Sequence, residues 1–159
     1  MPKLIMLIGL PASGKSTWRS KFLSKNPDYV VVSSDDILDS LAERDGISYS
    51  ESFKKYAKEA GKEMKRQAKD HFENGRNIIW DQTNMSSKSR KLGLDMAGDD
   101  YEKEAIVFVI PEPELKMRLA KREKEEGKHI PDFVIQNMSR SYQAPTKAEG
   151  FDKISYVRK

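Results

Sequence analysis

Residues Gly9-Leu10-Pro11-Ala12-Ser13-Gly14-Lys15-Ser16 follow the pattern G-x-x-x-x-G-K-[ST], a spacing suited to a backbone loop wrapped around phosphates. The glycines allow a tight bend, so several backbone N–H groups can face phosphate oxygens. A helix starting at the loop adds the positive end of its dipole. Lys15 has the length to reach the β and γ phosphates of a nucleoside triphosphate, and the Ser16 hydroxyl can bind Mg²⁺. On this reading the ATP contacts run through Gly9, Pro11, Ala12, Ser13, Gly14, Lys15, Ser16 and Thr17. The bland alternative is a glycine-rich strand-to-helix turn with no ligand. The apolar run at 4–8 before the loop and the helix-compatible segment 17–25 after it favour the phosphate site.

Two further polar clusters each follow a β-rich run. Ser33-Ser34-Asp35-Asp36 comes after residues 29–32, and its carboxylates read either as favourable charges at a helix start or as catalytic acids. Asp81-Gln82-Thr83-Asn84 follows Ile78-Ile79-Trp80, where Asp81 could hold Mg²⁺, directly or through water, or bind a phosphate acceptor. Farther on, Arg118 and Arg122 are four residues apart in a charged helical stretch and share a face, as a pair aimed at phosphates would. The competing reading pairs Arg118 with Glu114 and Arg122 with Glu126 on a solvated helix. Arg140, in the next helical segment, is a third candidate. Phosphoryl transfer asks of a protein mainly positioning and charge neutralisation, so these groups suffice if one or two arginines reach the donor phosphates.

The elements that must position these groups alternate. Short β-rich runs at 4–8, 29–32, 77–80, 104–110 and 153–157 are separated by helical patterns, which predicts an α/β fold with a parallel sheet. Helices are expected at 16–23, at 35–43 with Ile37, Leu38 and Leu41 on one side and Ser33 or Ser34 as cap, and at 112–126 ending at Gly127. Another begins near Pro131 and runs to about Tyr142. From 50 to 74, Phe53, Ala57, Ala60, Met64, Ala68 and Phe72 recur at three- and four-residue spacing, predicting one long helix stopped at Gly75 with this stripe as core. A sheet of this kind places ligands at the carboxyl ends of its strands, where all three polar clusters fall.

The 159 residues suit one domain, expected to span 1–159. There is no apolar stretch of membrane-spanning length and no room for a signal peptide before the first strand, so no membrane partner and a cytoplasmic location are expected. Without cysteine the chain has no disulfide or thiolate metal site, and His71 and His129 are too far apart in sequence to suggest zinc. A net charge of +4 is compatible with an anionic ligand but too small to argue nucleic-acid binding by itself. Oligomeric state is left open.

On residues 9–18, Ser34-Asp35-Asp36, Asp81-Gln82-Thr83-Asn84 and the arginine-containing stretch leading to Gly127 and Ile130-Pro131, the chain resembles the 5′-hydroxyl polynucleotide kinase domain of phage and end-healing enzymes, within the P-loop kinases. The resemblance implies the P-loop kinase fold, a parallel five-stranded sheet flanked by helices with a helical lid, and ATP with Mg²⁺. It implies Asp35 as general base and Lys15 and Arg122 as catalytic cations, with Arg118 also on ATP. Asp81, Thr83 and Asn84 join Asp35 on the acceptor side. Two positions depart from the pattern: Leu38 stands where the phage enzymes place an acceptor-phosphate arginine, and Glu126 where they place a second lid arginine. The chain ends after the fifth strand, which implies a kinase alone, without the phosphatase domain fused to many end-healing kinases.

Three functions follow. The first is a kinase of 5′-hydroxyl ends of DNA or RNA, in end repair. The second is a P-loop kinase of a nucleoside, nucleotide or sugar nucleotide, which Leu38 favours because such an acceptor need carry no nearby phosphate. The third is a non-catalytic nucleotide-binding module, against which Asp35 speaks, since binding alone needs no base.

Overall fold

A strand with no polar residue must be covered on both faces, and Leu4 to Ile8 is such a strand. In the computed structural model, which describes residues 1–158, it lies at the centre of the sheet. β1 (Lys3–Ile8) pairs in parallel with β3 (Ile78–Asp81) on one side and β4 (Glu102–Val109) on the other. β2 (Val30–Val32) flanks β3, and β5 (Lys153–Arg158) flanks β4, giving the parallel order β2-β3-β1-β4-β5.

Side chains alternate across a strand, so the sheet has two cores. One face carries Leu4, Met6, Ile8, Ile78, Trp80, Ala105 and Val107 under α3 (Tyr49–Glu73) and α4 (Ser87–Ala97), through Met64, Ala68, Leu94 and Ala97. The other carries Ile5, Leu7, Ile79, Ile106 and Phe108 against Trp18 and Phe22 of α1 (Lys15–Lys25), whose rings stack 4.8 Å apart. α2 (Ser34–Asp45) packs on α3. Beyond β4 come α5 (Glu112–Glu126) and α6 (Asp132–Ser141). Among the described residues no helix is long and apolar enough to cross a membrane.

The α/β reading holds, with all five strands at their expected places to within two residues. Ser33, rather than Ser34, caps α2, accepting a hydrogen bond from the Asp36 N–H at 3.2 Å. α4 was not expected. Its sequence, SKSRKLGLDMA, is basic and polar and shows little apolar periodicity. Gly93 lets it approach the sheet: a Cβ there would stand 2.9 Å from Met6 Cε and 3.1 Å from the Trp80 ring. Neither stripe residue in the first turns of α3 is core. Ala57 is exposed and Phe53 is 52 % exposed, while Ser52 is the buried one, its hydroxyl donating to the Leu38 carbonyl at 2.8 Å. Helical spacing finds a face of a helix, but only the neighbouring element decides how far along the helix that face is covered.

Candidate active site

The carboxyl ends of β1, β2 and β3 open into one cleft of ≈ 580 Å³. Pro11, Ala12, Gly14, Lys15, Ser16 and Thr17 line it from the loop after β1, as expected. Asp35 and Asp36 line it after β2, and Asp81 and Thr83 after β3. Arg118 and Arg122 of α5 form the opposite wall. Arg140 is exposed on α6 and is absent from this lining.

The loop is shaped by backbone that few residues adopt. Ala12 has φ 66° and Gly14 φ 110°, and such left-handed turns swing successive N–H groups to one side, forming a concavity for anions. Gly9 and Ser13 are the buried members of the loop and are not part of the cleft's lining. The Gly9 N–H donates to the Thr83 carbonyl at 3.0 Å, and a Cβ on Gly9 would stand 2.6 Å from Ser13 Oγ. Ser13 Oγ is buried with no partner among the described residues, an orphan suited to a phosphate-bound loop. Ser16 and Thr17 stand exposed at the start of α1, where a hydroxyl is free to meet phosphate or a phosphate-bound cation.

Lys15 bends back across the cleft, its ammonium donating to the Gln82 carbonyl at 3.2 Å. Burial pushes it below its ordinary range, against the pull of Asp81 and Asp35, and the Arg122 charge pushes it down further. One lysine thus feels groups from β3, α2 and α5 together. Tyr49 is another such meeting point. Burial raises its hydroxyl well above the ordinary range, and so does the hydrogen bond it donates to Asp35 Oδ1 at 2.6 Å.

Asp36 lines the same cleft but is engaged differently. It holds Arg19 of α1 in a two-pronged pair at 2.9 and 3.2 Å, and the same guanidinium reaches Asp81 at 2.8 Å. Burial works against the Arg19 charge, but the two carboxylates outweigh it and raise its affinity for the proton. Sequence reasoning passed over Arg19, although it lies four residues after Lys15 on the same helix, a spacing that puts both on one face. It also missed the side chain of Gln82, whose Oε1 accepts from Ser34 N at 2.9 Å and Ser34 Oγ at 3.0 Å, tying the end of β3 to the start of α2. Tyr49, which meets the cleft through Asp35, and Lys128, which lines it, carried no local signal, since only packing brings them there.

Asn84 is corrected. It was expected on the acceptor side, but it is 2 % exposed at φ 53°, and its amide donates to the carbonyls of Leu7 at 2.6 Å and Gln82 at 3.2 Å. An asparagine tolerates that backbone and satisfies the carbonyls where two strands end. Behind it, fully buried Arg90 donates to the carbonyls of Asn84 at 2.9 Å and Met85 at 3.2 Å and pairs with Glu149 at 2.9 Å, bracing the turn from below. Leu38 is core, 2 % exposed. On α5 both readings of the arginines coexist: Arg118 pairs with Glu114 at 2.8 Å and reaches the Ala12 carbonyl at 3.4 Å, and Arg122 sits 3.5 Å from Glu126, yet both line the cleft.

A parallel sheet in this order, with a phosphate loop after its central strand and a helix that turns Arg118 and Arg122 into the same cleft, is a P-loop kinase fold. The chain belongs to the AAA-domain family, whose model matches residues 4–145. It is 27% identical to human heterogeneous nuclear ribonucleoprotein U-like protein 2 over 162 residues, covering 97% of this chain and 21% of that protein. It is 28% identical to the L-seryl-tRNA(Sec) kinase of Methanococcus maripaludis over 153 residues, 94% of this chain and 56% of that enzyme. Among solved structures, a chain of the Pnkp1/Rnl/Hen1 RNA repair complex superposes with a TM-score of 0.69 at 28% identity, over 88% of this chain and 43% of that one. The chain therefore spans about a fifth to a little over half the length of these two curated relatives.

Proposed function

We propose that this protein is an ATP- and Mg²⁺-dependent kinase that phosphorylates a 5′-hydroxyl end of DNA or RNA. The observation that carries the reading is the meeting of Lys15, Asp35, Asp81 and Arg122 in one cleft after the phosphate loop, with Lys15 sensing all three of the others. The similarity to a chain of an RNA repair complex and to a kinase named for a tRNA substrate supports a nucleic-acid acceptor.

Pro11, Ala12, Gly14 and Thr17 would cradle the ATP phosphates, and Ser16 would hold Mg²⁺ together with phosphate oxygens. The metal, when bound, neutralises charge on the transferring group. Lys15, drawn off the Gln82 carbonyl, neutralises the same phosphates from the protein side, and their negative charge favours its protonated form against the effect of burial. Asp35 accepts the proton of the acceptor hydroxyl as that oxygen bonds to phosphorus and the bond to ADP breaks. Tyr49 holds one carboxylate oxygen of Asp35 and leaves the other for the acceptor. Asp81 and Thr83 flank the acceptor, while Arg122 and Arg118 close over the donor.

A small acceptor remains the second reading, favoured by Leu38, whose buried side chain supplies no cation where an acceptor phosphate would need one. The test incubates the protein with γ-labelled ATP and a panel of 5′-hydroxyl oligonucleotides, nucleosides and sugars. Label on the oligonucleotides is expected. Label confined to nucleosides or sugars would establish the second reading.

A further inference from the structure

Phe53 stands on α3 one turn beyond Tyr49, half in solvent at 52 % exposure, and the two rings lie 6.4 Å apart with their planes tilted by 37°. Single exposed apolar residues are ordinary on a protein surface; Phe53 differs in standing one ring away from Tyr49, whose hydroxyl touches Asp35 of the cleft. Its neighbour is held firmly. The Tyr49 hydroxyl donates to Asp35, and the Lys128 ammonium sits 4.8 Å from the centre of the Tyr49 ring while pairing with Asp39 at 3.0 Å. Arg122 is near enough to favour the ionised form of Tyr49. Beside the proposed base, then, are one open aromatic face, one fixed aromatic ring and two cations. Stacking faces combined with positive charge are what hold single-stranded nucleic acid, because every base has a π-face and every link a phosphate.

We propose that Phe53 is the stacking platform for the terminal nucleobase of the acceptor, with Tyr49 setting its distance from Asp35 and Lys128 facing the adjoining phosphate. The inference rests on the reading of the cleft as a 5′-hydroxyl kinase. The geometry suits a nucleotide. In an acceptor, one sugar separates the reacting hydroxyl from the base; here, one tyrosine ring separates Asp35 from Phe53. A sugar acceptor would leave the Phe53 ring without a partner, so the platform selects acceptors that carry a base at the reacting end.

The experiment compares initial rates for a 5′-hydroxyl oligonucleotide and for the same strand with an abasic terminal residue, using wild type, Phe53→Ala and Phe53→Trp. Phe53→Ala is expected to raise KM for the base-bearing strand about tenfold, in the range of losing one base–aromatic stack, with kcat and the KM for ATP held. The abasic strand should already have the raised KM with wild type and gain nothing further from the substitution. Phe53→Trp should keep the wild-type KM, which separates stacking from a general disturbance of α3. A 2-aminopurine at the 5′ end should be quenched on binding wild type and not Phe53→Ala. An equal KM for wild type and Phe53→Ala, or an equal rise on both strands, overturns the platform. If wild type labels no oligonucleotide at all, the kinase reading fails and takes the platform with it; if transfer proceeds and only the Phe53 effect is missing, the platform alone fails.

Discussion

Asp35 and Asp36 are adjacent in sequence and opposite in task. Asp35 accepts from Tyr49, whereas both oxygens of Asp36 are engaged by Arg19. Asp35→Asn should therefore lower turnover strongly with little change in ATP affinity. Asp36→Asn should act mainly on stability, because it loosens the joint between α1 and α2. Turnover and thermal melts of the two variants check this, and equal turnover losses would remove the single-base assignment. Lys15 carries a prediction of the other kind. Burial disfavours its charge more than Asp81 and Asp35 favour it, so Lys15→Met should abolish transfer, at least about a hundredfold in rate, without lowering the melting temperature. The sign follows from the direction of the shift. A lysine depressed in the folded protein loses its proton earlier on folding, and bringing phosphate beside it raises its proton affinity again. ATP binding at alkaline pH should then take up protons, seen as a binding enthalpy that varies with the ionisation enthalpy of the buffer. The place of the phosphate loop at the cleft was legible because its pattern is written in consecutive positions, whereas Asp35 was set apart from Asp36 by resemblance alone. The burial of Asn84 was not legible, because a polar amide is equally suited to ligands and to unpaired carbonyls.

At the level of elements, the lid is α5 with the turn after it. Its outer positions are charged along the whole length, and Leu115 alone is buried, so few contacts hold the helix in one place and movement over a donor is easily accommodated. Arg122→Ala should depress turnover by roughly tenfold to a thousandfold, the range for removing a charge from a transferring phosphoryl group. Arg118→Ala should do less, since part of its charge is already met by Glu114. Arg140→Ala should do least. Steady-state ATP turnover with one fixed acceptor ranks the three, and a dominant effect of Arg140 would move the lid to α6. The limits of α5 could be read from Pro111, which ends a strand and can open a helix, and from Gly127, whose left-handed backbone closes one. α4 could not, because its contact with the sheet depends on a missing side chain at Gly93 and on buried Arg90, and neither contributes to a periodic apolar pattern.

Taken as a whole molecule, the parallel sheet was expected but its strand order was not legible, since alternation of strands and helices fixes neither which strand is central nor which pairs adjoin. The placement of β1 has a consequence for the history of the chain. β1 is made first and ends up in the middle, paired with strands that begin 75 and 99 residues later. The bond from Gly9 to the Thr83 carbonyl, which props the phosphate loop, closes only when β3 arrives. During synthesis the loop therefore emerges early as sequence and late as a binding surface, and loop closure over such separations makes this a slow-folding topology. Nucleotide affinity and far-UV ellipticity should accordingly vanish at the same urea concentration, and a nascent chain should remain unable to bind ATP until β3 and β4 have left the ribosome and enclosed β1.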